Sequence, residues 1–159
     1  MIPDVLLFVH IIGACVLLGT GAGIAFFMVI ANRSGEPALI AHTAGIVVLA
    51  DTVFTASAVI VQPVTGVALA IHAGWPILEG WVLLSLALYV FVGAFWLPVV
   101  WIQWRMRQLA IAARDGGRPL PSAYHRLYRI WFACGFPAFA GVLAIVWLMI
   151  TKPDVPIGL

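Results

Sequence analysis

The sequence has very little charge. Of its 159 residues, 8 are Lys or Arg and 6 are Asp or Glu, which together make 9%. A soluble globular domain carries roughly a quarter charged residues, so this chain lacks the groups needed to cover a water-facing surface. The shortage excludes a soluble domain, a disordered tail and a nucleic-acid-binding protein. Hydrophobic residues instead make up 64%, which favours a protein whose solvent is lipid.

Cysteines are also scarce, and so are basic residues near the N-terminus. The two cysteines, Cys15 and Cys134, lie in apolar runs without zinc-ligand spacing, so neither a disulfide framework nor a zinc site is predicted. No basic residue precedes the first apolar run, which is too long for a signal-peptide core. We therefore expect that run to be a retained helix.

Long apolar runs are what the sequence has in abundance. A helix needs about 20 apolar residues to cross a bilayer, and the stretches between charges supply four such segments. We predict an all-α, four-transmembrane-helix bundle that forms one integral membrane domain over residues 1–159. The predicted spans are 5–31, 44–71, 80–104 and 126–151.

The distribution of basic residues predicts the orientation in the membrane. Seven arginines fall in the loops after spans 1 and 3, whereas Lys152 is the one basic residue on the other side. Because cytoplasmic loops are enriched in Lys and Arg, we expect both termini on the non-cytoplasmic side. Within the second arginine-bearing loop, we expect span 3 to continue as a helix through Arg114 and to end at Gly116-Gly117. We expect Ser122 to cap the last helix.

Asp51 is the most informative polar residue, because a carboxyl group inside a membrane needs a compensating partner. It begins a helical face that reads Asp51, Thr55, Ala58, Gln62, Thr65, Leu69 and His72, with steps of three and four residues. Such a face should point into the bundle. Two interpretations stay open, namely hydrogen bonds that join helices and the wall of a polar cavity in which Asp51 binds a ligand or transfers a proton.

Histidine supplies a second candidate site. His10 lies inside span 1 among small residues, which let a neighbouring helix or a flat ligand come close. An imidazole in an apolar bundle is what a b-type haem requires, so His10 is a candidate axial metal ligand with His72 as the second. His42 and His125 are alternative ligands at the other side, and hydrogen-bonded interfacial histidines remain the competing interpretation.

Two aromatic residues of span 3 complete the candidate set. Tyr89 and Trp96 are seven residues apart, and therefore lie on one helical face. They are candidates for lining a ring-shaped cofactor, together with Thr55 and Gln62, or for filling the core.

Six sequence blocks, spread over nearly the whole chain, form one pattern. The blocks are Val9–Gly13, Ala50–Thr55, Gln62–Gly66, Trp96–Gln103, Trp131–Phe132 and Phe136–Phe139. Together they resemble the bacterial four-helix membrane family known as domain of unknown function 2269. The resemblance implies a multi-pass protein of the bacterial inner (cytoplasmic) membrane.

A second resemblance covers span 1 alone. The block Phe8–Gly13 is similar to the first helix of HemJ-type protoporphyrinogen oxidases and of CopD-type copper-resistance membrane proteins. In the HemJ type the histidine that matches His10 is a haem ligand, so this resemblance implies a haem or porphyrin site at His10.

Three functional hypotheses follow. The first is a membrane redox protein, such as a haem-dependent oxidoreductase. It would bind haem b or a porphyrin at His10 and use Asp51 as its catalytic residue. The second is a non-redox module that uses the Asp51 face to bind a small molecule or to carry out proton-coupled transport. Because four spans are few for a transporter, we expect such a module to form a homo-oligomer. The third is an accessory subunit of a larger membrane complex. In each case the lipid bilayer is a partner and nucleic acid is not.

Overall fold

The computed structural model describes residues 2–156, and every regular element in them is helical. Four helical rods are long and apolar enough to cross a membrane, which confirms the predicted all-α four-helix bundle. The helices are α1 (Ile2–Ser34), α2 (Pro37–Ala50), α3 (Ala56–His72), α4 (Gly80–Asp115) and α5 (Ser122–Thr151). A short π-helical segment, Asp51–Thr55, joins α2 to α3 within the second rod.

The helix of the second rod begins earlier than the predicted span. It starts at Pro37 rather than at 44, because proline fits the first turn of a helix and Gly35 reverses the chain with a positive φ of 69°. Asp51 is therefore preceded by 14 helical residues and lies about 21 Å along the rod. The carboxyl group is thus deeper within the rod than the predicted span implied.

One end of the bundle, called the arginine end here, carries the loop between α4 and α5. As predicted, α4 continues past Arg114 and stops at the glycine pair, where Gly117 has a φ of 58°. The prediction that Ser122 caps α5 is wrong. Pro121 occupies the cap position with an extended backbone, and Ser122 is the first helical residue, so its hydroxyl makes no capping bond.

The rods pack mainly as neighbouring pairs. Helix α4 runs along α5 and also contacts α2, while α1 packs along α3. The main core lies towards the arginine end, where Met28, Ile40, Met106, Ala110 and Tyr124 are almost completely buried. Large apolar side chains elsewhere point outwards along all four rods, because lipid is as apolar as they are and nothing drives them inside.

The α4–α5 contact depends on a close approach at Gly141. A Cβ atom at this position would lie 2.6 Å from a methyl carbon of Val92 on α4, whereas a Cβ at Gly135, on the same helix, would meet nothing within 4 Å. The pair therefore offers a matched test of packing.

We expect Gly141→Ala to lower the free energy of unfolding by about 1–3 kcal/mol, because the added methyl forces α4 and α5 apart. Gly135→Ala should leave it unchanged or raise it by up to about 1 kcal/mol, because alanine favours a helix more than glycine does. Equilibrium unfolding of the purified protein in detergent, followed by circular dichroism, measures both. Equal effects of the two substitutions would show that the α4–α5 contact is looser than the structure indicates.

Candidate functional site

Two groups of buried polar side chains lie in the bundle. The Asp51 cluster consists of Asp51 and Thr55 of the π-helical segment, Trp96 and Gln103 of α4, and Trp131 of α5. The His10 cluster consists of His10 of α1 with Gln62 and Thr65 of α3. The second rod thus contributes to both clusters.

The π-helical segment places Asp51 at the first cluster. Its hydrogen bonds span five residues instead of four, as in the bond from the Ala56 backbone N–H to the Asp51 carbonyl oxygen. Such an insertion widens the helix locally, and π-helical turns occur frequently at functional sites. Asp51 and Thr55, at the two ends of the segment, are both buried.

The Asp51 carboxyl group receives hydrogen bonds from two α4 side chains. Trp96 donates its indole N–H to Oδ1 at 3.2 Å. In the amide orientation that satisfies both neighbours, Gln103 donates from Nε2 to Oδ2 at 3.1 Å, and its oxygen accepts from the Trp131 indole at 3.2 Å. This chain of bonds joins the second rod, α4 and α5.

The partners of Asp51 are all neutral. The Thr55 hydroxyl lies nearby but forms no hydrogen bond of good geometry. The one ion pair among residues 2–156 joins Arg114 to Asp115 at the arginine end, so no cation compensates Asp51 within that range. A carboxylate that is 4% exposed in an apolar bundle is expensive without a cation. The arrangement is therefore suited to a carboxyl group that gains and loses a proton.

The His10 cluster holds α1 against α3. The His10 ring nitrogen Nδ1 lies 2.8 Å from the Thr65 hydroxyl, and Gln62 donates to the His10 backbone carbonyl at 2.7 Å. Glycines make this approach possible. A Cβ at Gly13 would lie 2.5 Å from the Gln62 amide nitrogen, and one at Gly66 would lie 3.0 Å from the His10 ring.

The Thr65 hydroxyl influences which nitrogen of His10 carries the proton. It also lies 2.8 Å from the Val61 carbonyl oxygen, which can only accept a hydrogen bond. When the hydroxyl proton points to that carbonyl, the Nδ1–H of His10 donates to Thr65 and Nε2 keeps its lone pair. This is the tautomer that a histidine needs to bind a metal through Nε2.

Tyr89 satisfies a backbone group that Pro63 leaves without a donor. In an α-helix the carbonyl of Val59 would accept from the N–H of residue 63, which proline lacks. The Tyr89 hydroxyl donates to this carbonyl instead. The bond connects α3 to α4 and meets the requirement that backbone polar groups in a membrane be paired.

The predicted site residues do not form one site. The structure joins Asp51 to Trp96, and it joins His10 to Gln62, while Tyr89 bonds the α3 backbone. His72 is exposed at the end of α3, about 10 Å along the helix from Thr65. His42 and His125 are exposed near the arginine end.

Sequence reasoning missed Gln103 and Trp131 as partners of Asp51. Gln103 lies seven residues after Trp96, so the shared helical face was a signal that could have found it. Trp131 comes from another helix, and nothing in the local pattern distinguishes it from an interfacial tryptophan.

Comparison with known proteins assigns the chain to a family but to no activity. A family model described as "Predicted integral membrane protein (DUF2269)" matches residues 4–153, which confirms the resemblance inferred from the sequence blocks. No curated protein and no solved structure matches the chain.

We expect Gln103→Leu to lower the free energy of unfolding by about 1–3 kcal/mol, since it leaves the Asp51 carboxyl and the Trp131 indole each short of a partner. Gln108→Leu is the matched control, because Gln108 is a half-buried residue of the same helix without a described hydrogen bond. Unfolding in detergent compares the two. If Gln103→Leu is no less stable than Gln108→Leu, the bridge contributes no stability.

Proposed function

This chain belongs to the DUF2269 family of predicted integral membrane proteins, and we propose that it acts as a proton-linked binding or transport module centred on Asp51. In this proposal the protein resides in the inner membrane of a bacterium and the arginine end faces the cytoplasm, in keeping with the positive-inside rule. With four spans it would work as a homo-oligomer.

The observation that carries the proposal is the Asp51 carboxyl group, buried within a π-helical segment and bonded only by neutral donors. Ionisable groups inside a membrane commonly mark proton and substrate pathways. A purely structural link between helices needs no ionisable group, because asparagine would accept the same hydrogen bond from Trp96.

The neighbours of Asp51 allow protonation to change helix packing. An ionised carboxyl accepts from both Trp96 and Gln103. A protonated carboxyl becomes a donor at one oxygen, which favours rotation of the Gln103 amide towards accepting a hydrogen bond. That rotation would remove the acceptor of the Trp131 indole on α5. Proton uptake at Asp51 would thus change the contact between α4 and α5.

We expect the protein in lipid bilayers to show a pH-dependent infrared band from a protonated carboxyl group that Asp51→Asn removes. The band arises because an uncompensated carboxylate is unfavourable in the apolar bundle. Difference infrared spectroscopy over a pH titration measures it. Asp154→Asn is the control, since Asp154 is exposed beyond the end of α5, and it should leave the band in place.

A pH-difference spectrum that is the same in the wild type and in Asp51→Asn would contradict the proton-linked role. The thermal unfolding of each variant, followed by circular dichroism, shows whether the fold is kept. Asp51→Glu, which retains an ionisable group, should restore a carboxyl band at a shifted frequency.

A second candidate function is binding of haem b at His10, favoured by the contact between Nδ1 and Thr65. A hydrogen bond at one ring nitrogen orients the other towards a metal. His10 would hold the haem iron through Nε2. When bound, haem would supply one-electron redox chemistry. His72 is the candidate for the second ligand.

We expect haem added to the purified protein to give a Soret band if this second function is correct, and His10→Gln to abolish the band by removing the ligand nitrogen. His125→Gln should leave the band unchanged, because His125 is exposed near the arginine end. Absorption spectroscopy measures the band, and His72→Gln tests the second ligand. A wild-type protein that shows no Soret band with added haem would rule this candidate out.

A further inference from the structure

A third polar feature lies at the arginine end, apart from both clusters. It is a groove of about 320 Å³ between α2 and α4, called the arginine groove here. Its polar lining residues are His42, Arg107 and Arg114, and its other lining includes Gly45, Ile46 and Leu49.

Arg107 lines the arginine groove, and no carboxylate among residues 2–156 forms an ion pair with it. Its Nε atom is fully shielded and forms no hydrogen bond. The side chain lies over Gly45, where a Cβ atom would be 3.5 Å from Nε. A guanidinium group has five N–H donors. Because α2 covers Nε at Gly45, an anion in the groove would bind the terminal Nη groups, which are not among the shielded atoms.

The other polar residues of the groove do not supply such an anion. Arg114 donates from its own Nε to Asp115 at 2.8 Å, but Asp115 does not line the groove. His42 is exposed. No carboxylate belongs to the lining, so the groove is basic and complements a negative charge.

The arginine groove is polar at one end and apolar at the other. Helix α2 runs from the arginine end towards the bundle centre, so Ile46 and Leu49 lie deeper in the membrane than His42. These two side chains are 54% and 64% exposed. Helix α4 runs in the opposite sense, which places Arg107 deeper than Arg114. A ligand that matches this order has an anionic head and an apolar tail.

We propose that the arginine groove binds one anionic phospholipid, with its phosphate on the Arg107 guanidinium and an acyl chain along Ile46 and Leu49. Basic pockets between transmembrane helices recognise anionic head groups by charge and hydrogen bonding. The packing of Nε against Gly45 holds the Arg107 guanidinium in one position, whereas the exposed arginines attract anionic lipid without a defined geometry.

The test compares lipid retention by native mass spectrometry of the purified protein in detergent. The probes are phosphatidylglycerol, phosphatidylcholine with the same acyl chains, and inorganic phosphate. We expect tight retention of one phosphatidylglycerol, and Arg107→Gln should weaken it about tenfold or more, because it removes a charge-assisted phosphate contact. Arg105→Gln is the matched control, since Arg105 is exposed on the same helix and lies outside the groove.

A second variant keeps the test decisive if Arg107→Gln does not fold. Gly45→Leu keeps the arginine but places a bulky side chain against its guanidinium and fills the groove beside it, so it should also reduce retention of phosphatidylglycerol. Three results would overturn the proposal. These are equal retention of the two lipids, phosphatidylglycerol binding that survives in the folded variants, and inorganic phosphate binding as tightly as the lipid.

Discussion

The placement of one carboxyl group in an apolar bundle constrains most of the polar structure. Asp51 lies about halfway along the second rod and is 4% exposed. No cation is available to it in the described part of the chain, so its stability depends on neutral donors that must reach it from another rod. Trp96 and Gln103 of α4 supply them. Their reach fixes how α4 is rotated relative to the second rod.

The second rod is also irregular where it is most polar. Its π-helical segment holds Asp51, and one turn after Val59 comes Pro63, which removes a backbone donor. In water such an irregularity would be hydrated, whereas in lipid another side chain must repair it. Tyr89 does so for the Val59 carbonyl. Helix α4 therefore supplies hydrogen-bond donors both to the buried Asp51 carboxyl and to the backbone carbonyl that Pro63 leaves unpaired. The residues that donate lie on one side of α4.

The two ends of the bundle differ in how they are held. Towards the arginine end, large side chains fill a continuous core around Met28, Met106 and Tyr124. Further from that end, α1 and α3 meet through the His10 cluster and glycine contacts. The Asp51 cluster lies between these regions, where the second rod changes from α-helical to π-helical. A change in the charge of Asp51 would therefore act where two differently packed regions of the bundle meet.

The sequence alone determined the class, the number of rods and the family, because a bilayer imposes a minimum apolar length that can be counted directly. It also identified the polar face, since helical spacing placed Asp51, Thr55, Gln62 and Thr65 on one side, and all four are buried. The helix of the second rod begins at Pro37, before the predicted span start at 44, because hydropathy measures lipid exposure, whereas helices continue beyond the lipid until a turn residue ends them.

Tertiary structure alone decided how the polar residues are divided. The face of the second rod was expected to point into the bundle, either as hydrogen bonds between helices or as the wall of a polar cavity. Its members bond to different helices, with Asp51 facing α4 and Thr65 facing α1. The pairing of Gln103 with Trp131 likewise depends on which rods are neighbours, as does the shielding of Arg107 Nε, which has no hydrogen-bond partner among residues 2–156. Local periodicity specifies the side of a helix on which a residue lies, but contacts between helices far apart in sequence arise only from packing.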